Sequence, residues 1–110
     1  MTDTPNNGAI AAGFIYRQTL TNANGPFVGG SAWRGQFRYG AGRTLLYEAT
    51  TANGGLVVVD ANNLQIILPA AVSASWRGSV VVDIVRTDGS TPEYGGFVVT
   101  IPVMTPVTAP

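Results

Sequence analysis

Residues 76–103, WRGSVVVDIVRTDGSTPEYGGFVVTIPV, hold the two longest strand signals in the chain. Val, Ile, Phe and Thr fill 78–87 and 94–103, and branched or aromatic side chains suit a pleated, half-buried surface. Between the runs lies Asp88-Gly89-Ser90-Thr91-Pro92-Glu93. Asp-Gly is expected to supply the positive φ of a hairpin turn, and Pro92 sits where no ladder N–H is lost. Two strands alone are marginal in water, so the rest of the chain must cover one face of the pair.

Working back from this hairpin, AAVSASW at 70–76 is the one plausible helical turn. Its place between two strands matches the E-to-F crossing of an immunoglobulin-like sandwich. Before it come LQIIL (64–68, ended by Pro69) and LVVVD (56–60), with turns at Asn53-Gly54-Gly55 and Asn62-Asn63. A further strand is expected at 43–50. Residues 33–39 alternate, with Trp33, Gly35, Phe37 and Tyr39 on one face and Arg34, Gln36 and Arg38 on the other. The first strand is expected at 10–20, with Gly13 as a bulge. A long loop with Gly25, Pro26, Gly29 and Gly30 follows it.

These signals predict an all-β fold, a single immunoglobulin-like β-sandwich of about seven strands with one short helical turn; a different small barrel is the alternative. The expected layout is an extended N-terminal arm (1–9), the sandwich (10–104) and an extended C-terminal tail (105–110). The expected core is Trp33, Phe37, Leu46, Val58, Leu64, Ile66, Leu68, Trp76, Val80, Val82, Ile84, Phe97, Val99 and Ile101. Val57-Val58-Val59 and Val80-Val81-Val82 are apolar on both faces, so a loop or a second protein must cover the outer one, and a second protein is the expectation.

Composition removes several classes of function. Charged residues are only 11% of the 110 and hydrophobic residues 45%, which favours life inside an assembly over life as a free monomer. The formal net charge is zero, so the basic excess that displaces counterions from nucleic acid is missing. Without cysteine there are no disulfides, thiolate zinc sites or cysteine nucleophiles. Without histidine the commonest general base and metal ligand is absent. The polar MTDTPNNGA start is unlike a signal peptide, and no apolar run approaches membrane-helix length.

The acids are Asp3, Glu48, Asp60, Asp83, Asp88 and Glu93. A glycosidase-type pair would have to come from among them, with Glu48 and Asp60 as candidates. The plainer expectation makes Asp88 and Glu93 solvated turn residues and Asp60 a strand-end cap. Asp83 interrupts an apolar strand, and a structural ion pair, Arg38 with Asp83, is expected to hold it. The glycine-rich pieces precede no helix bearing a lysine, so they are turns rather than phosphate cradles. Ser31, Ser73, Ser75, Ser79 and Ser90 have no histidine to activate them. No catalytic, cofactor-binding or metal residue is expected. Tyrosine and arginine are frequent anchors of protein contacts. Candidate interface residues are therefore Phe27, Tyr16, Tyr47, Tyr94, Val57, Val59, Val81 and Pro106, with Tyr39 as a further exposed aromatic; the alternative is that these aromatics only rim the core.

From 33 to 103 the order WRGQFRY, LLYEATT, LVVVD, LQIILP, AAVSASW, GSVVVDIVRTDGS, GGFVVTIPV resembles the small β-sandwich domains of tailed-bacteriophage virions. In particular it resembles the N-terminal domain of siphophage baseplate upper proteins and tail-fibre adaptor domains. Family members commonly carry an aromatic in the strand before the Asp, where this chain has Val80 and Val82. The resemblance implies a non-enzymatic virion structural protein, assembled in the host cytoplasm and present as a homo-oligomer. It would act as a connector or adaptor in the tail, baseplate or fibre-attachment region. Its arms at 1–9 and 105–110 would lie on neighbouring subunits. The sequence stops at Pro110 where those proteins continue into a receptor-binding region, so a connector role is expected rather than receptor binding. Its partners would be other virion proteins and copies of itself, with no nucleic acid, membrane, small molecule or cofactor. A capsid decoration protein or head-fibre base is the alternative, and a carbohydrate-binding sandwich module comes third.

Overall fold

The computed structural model describes residues 8–108. Residues 1–7 of the expected arm (1–9) and the last two residues of the expected tail lie outside the described residues, as does the side chain of Phe97. Eight strands form in chain order: β1 (Ile10–Ala11), β2 (Tyr16–Thr21), β3 (Trp33–Arg38), β4 (Leu45–Thr50), β5 (Leu56–Asp60), β6 (Asn63–Leu68), β7 (Gly78–Arg86) and β8 (Glu93–Met104). A 3-10 turn over Ala70–Ser73 links β6 to β7. The larger sheet runs β1-β8-β7-β3-β4 and the smaller β2-β6-β5. The chain changes sheet between β1 and β2, between β2 and β3, between β4 and β5, and again through the 3-10 turn. This is the immunoglobulin-like Greek key, with the helical turn at the expected crossing.

β7 and β8 pair antiparallel from Gly78↔Val103 to Arg86↔Glu93, with a register shift between Asp83 and Val85. Their connection differs from the expected tight Asp-Gly turn. Gly89 is not among the glycines with positive φ. The loop 87–92 is long enough to reverse without a left-handed residue. Its base is held by the Thr87 N–H donating to the Ala32 carbonyl at 2.8 Å and by the Arg86–Asp88 ion pair at 2.7 Å.

The expected strand at 10–20 is two strands in different sheets. β1 pairs in parallel with β8 through Ile10↔Val103 and Ala11↔Met104, whereas β2 pairs with β6. Between them the chain turns, with the Phe14 N–H on the Ala11 carbonyl at 3.0 Å and Gly13 at φ 86°. The Gly13 N–H donates to Ser73 Oγ at 3.1 Å. A fully buried serine in the 3-10 turn thus satisfies a backbone donor freed by the change of sheet.

Trp33, Phe37, Leu64, Ile66, Leu68, Trp76, Val80, Val82, Ile84 and Ile101 are buried as expected, and Leu46, Val58 and Val99 pack half-buried against them. Ile10, Tyr16, Leu20, Phe27, Ala49 and Leu56 join that core. Phe37 stacks obliquely between Trp76 and Tyr47, at centroid distances of 5.8 and 6.2 Å. The long loop after β2 closes the top. Phe27 meets Trp33 edge to face at 5.0 Å, and the Phe27 N–H donates to the Ala61 carbonyl. Ser31 Oγ accepts the Trp33 indole N–H at 2.8 Å.

The turn into β5 shows how little room the sandwich edge leaves. Asn53 Oδ1 accepts the N–H groups of Thr50 and Gly55, each at 2.9 Å. That clamp presses Gly55 onto β4, where a Cβ would lie 2.7 Å from Ala49 Cβ and 2.9 Å from Ala49 Cα. Gly55→Ala should therefore lower stability by about 1–3 kcal/mol through overpacking, and lower Tm by several degrees. Gly29→Ala, where a Cβ meets nothing within 4 Å, should leave Tm within about a degree or two. Thermal melts of both variants check the contrast.

Candidate functional site

The sandwich shows solvent the outward half of each alternating strand. On the larger sheet, the register sets Arg34 opposite Val85, Gln36 opposite Asp83 and Arg38 opposite Val81. The next strand continues these rows with Val98 opposite Asp83, Thr100 opposite Val81 and Tyr94 opposite Val85. On the other side, Gln36 faces Glu48 of β4. The result is a face with polar β3 and β4 and a valine-rich half on β7 and β8. Gln36, Arg38, Val81, Asp83 and Val98 line a shallow hollow of about 300 Å³ on it.

The polar half is knitted together within the chain. Gln36 Nε2 donates to Glu48 Oε2 at 2.8 Å, and Arg34 Nε lies 3.7 Å from the same oxygen. Arg38 Nη2 donates to Gln36 Oε1 at 2.8 Å, and Nη1 donates to the Arg43 carbonyl at 2.6 Å. The expected Arg38–Asp83 ion pair is therefore not formed. The ion pairs among the described residues are Arg34–Glu48 and Arg86–Asp88. The reason is register: Arg38 faces Val81 rather than Asp83, and acceptors on its own hairpin take its guanidinium. Asp83 instead lies beside Tyr94, whose phenol pKa is raised first by lost hydration and then by the charge and hydrogen bond of Asp83.

The candidate interface residues separate sharply. Tyr94, Val57 and Val59 are exposed, at 56%, 38% and 57%. Val81 and Pro106 are half-buried, as is Tyr47, which packs on Phe37. Phe27 and Tyr16 are core residues and offer no contact surface, because the loop after β2 folds Phe27 inward and the break at Gly13 turns Tyr16 toward the interior. The Tyr16 hydroxyl is spent on the Gly8 carbonyl and the Gln18 side-chain oxygen. Val98, at 59% exposed, was hidden among its apolar neighbours in the sequence. Its signal was the alternation itself: with Val99 and Ile101 inside, Val98 must point out. Among the described residues no loop covers Val57, Val59 or Val98.

Among the described residues the carboxylates do not converge. Glu48 sits in the larger sheet on Gln36 and Arg34. Asp60 ends β5 in the smaller sheet, accepting from the Asn62 N–H at 2.8 Å and from Asn63 Nδ2 at 2.9 Å. The Arg86 guanidinium holds the Asp88 carboxyl down at about 2. Among the described residues no group of three or more acids could hold a metal ion, and no helix is long and apolar enough to cross a membrane. What this arrangement can do is present a surface. Set against protein-family models, curated proteins and solved structures, the chain matches none.

Burial pushes the Tyr16 phenol up from 10.0 to about 12. A raised folded-state pKa means that this stability contribution is whole below pH 10 and is lost as pH rises toward 12, where the unfolded chain releases its proton first. Denaturant melts across that window should show stability falling. Tyr16→Phe should flatten its share of the fall, and near-ultraviolet titration should find one phenol ionising last.

Proposed function

We propose that this chain is a non-enzymatic structural protein of a tailed-bacteriophage virion. It serves as a connector or adaptor in the tail, baseplate or fibre-attachment region and works through contacts with other virion proteins and with copies of itself. The observation that carries the contact role is the uncovered apolar surface on the outer faces of both sheets: Val57 and Val59 on β5, Tyr94 and Val98 on β8. Burying each of these against a partner would contribute roughly 1 kcal/mol or more. Exposed apolar side chains grouped on a strand face of a small domain are a feature of places where another protein sits. The phage assignment rests on the order of motifs between Trp33 and Val103, from WRGQFRY through the helical AAVSASW to GGFVVTIPV.

Quantitative mass spectrometry of purified virions from the source phage tests the reading. The chain should be present at tens of copies or fewer per particle. Hundreds of copies would move it to the head, as a decoration protein or head-fibre base, and absence from the particle would overturn the proposal. Val57→Asp/Val59→Asp, on an edge strand where the fold tolerates charge, should reduce incorporation while leaving the thermal melt of the isolated chain nearly unchanged.

A further inference from the structure

The outer face of the larger sheet carries a charge pattern that one copy leaves open and a second copy can close. Arg38 and Asp83 sit on neighbouring strands, one two-residue step apart along the sheet, since Arg38 faces Val81 and Asp83 faces Gln36. Neither forms an ion pair among the described residues: Arg38 donates to neutral acceptors, and Asp83 is flanked by Gln36 and Val98 and meets the Tyr94 phenol. Around them Val81, Val98 and Tyr94 supply apolar surface. A carboxylate and a guanidinium left without opposite charge beside exposed valines are an unusual use of a surface that must only face water.

A two-fold axis lying between two such faces and crossing the Arg38–Asp83 diagonal exchanges these positions. It sets Arg38 of each copy over Asp83 of the other, making two equivalent ion pairs with Val81 and Gln36 lying along the axis between them. Isologous contacts of this kind need a patch that complements itself, and a patch bearing one positive and one negative group off the axis does so. We infer that this chain pairs with a second copy of itself through the outer face of β3, β7 and β8, with Arg38 bridging to the partner's Asp83. The inference rests on the reading that the protein works by contacts among virion proteins, and it names one of those contacts.

The size of the face sets the strength of the pairing. Three strands at ~4.8 Å spacing and about six residues at ~3.3 Å each give roughly 300 Å² in plan, small beside the ~800 Å² per partner of a standard interface. The isolated dimer is therefore weak and depends on concentration, and it is reinforced when other contacts hold the copies together.

Sedimentation velocity of the purified chain up to about 1 mM is the test, a range that reaches the weakest specific associations. A reversible monomer–dimer equilibrium is expected. R38D alone and D83R alone should each weaken dimerisation at least tenfold by setting like charges face to face, and the double variant R38D/D83R should recover it. Circular dichroism and thermal melts confirm that the variants fold. If either single variant does not fold, Val98→Asp, at an exposed position, should abolish the dimer in its place. A monomer at every concentration overturns the inference, as does a dimer indifferent to the single reversals or one that the double reversal fails to restore. A chain found in virions that stays monomeric would sink this contact and leave the virion role standing. A charge-dependent dimer absent from virions would do the reverse.

Discussion

Val80, Val82 and Ile84 are sealed from solvent while Val81, Asp83 and Val85 between them are not. That alternation is the constraint on which the rest of the larger sheet depends, because β7 is hydrogen-bonded on both sides, to β3 and to β8. A slip of one residue on either side would drive Asp83 into the core and three branched apolar side chains into water. Gly35 of β3 belongs to the same constraint. It sits across from Ile84, where a Cβ would press to 3.2 Å on both Ile84 and Val82, so a side chain there would need those two residues to shift. Trp33 and Phe37 then fall on either side of that gap and reach the interior.

The same register decides what the outer face offers. With Gln36 held opposite Asp83, the guanidinium two residues along cannot meet that carboxylate squarely, and Gln36 and the Arg43 carbonyl satisfy it instead. The charges on β3 and β4 are therefore taken up within their own hairpin and Arg86 of β7 pairs with Asp88, while Asp83 has no ion-pair partner among the described residues. The division of the face into a knitted polar half and an open valine half follows from strand pairing, with no residue specialised for it.

Much of this was legible in the residues. Period-two alternation placed the strands from Trp33 onward to within a residue or two, and it placed the core of β3, β6 and β7 with them, because a half-buried strand declares its faces. The helical AAVSASW between two strands marked the crossing of the sandwich. What could not be read was whatever depends on pieces meeting at a distance. Ile10–Ala11 is a strand only because β8 runs beside it in parallel, and two residues carry no period of their own. Phe27 lies in a loop, and its burial follows from the Trp33 ring and the Ala61 carbonyl waiting for it. The Arg38–Asp83 expectation had the right strands adjacent and failed on register, which periodicity does not supply.

The low charge of the chain gives these details their functional weight. Six basic and six acidic side chains serve the whole molecule, and the ion pairs seen among the described residues use Arg34, Arg86, Glu48 and Asp88. A surface with so few charges to spare resists association poorly wherever apolar groups gather. Exposed edge strands are commonly protected by lysine or by inward-pointing charge. Here β5, an edge of the smaller sheet, ends in Asp60 but presents Val57 and Val59 without any lysine nearby. Selection for a solitary soluble domain would remove such valines at little structural cost, since their side chains contribute nothing to the interior. Their presence on both sheets is understandable if the covering surface comes from other protein.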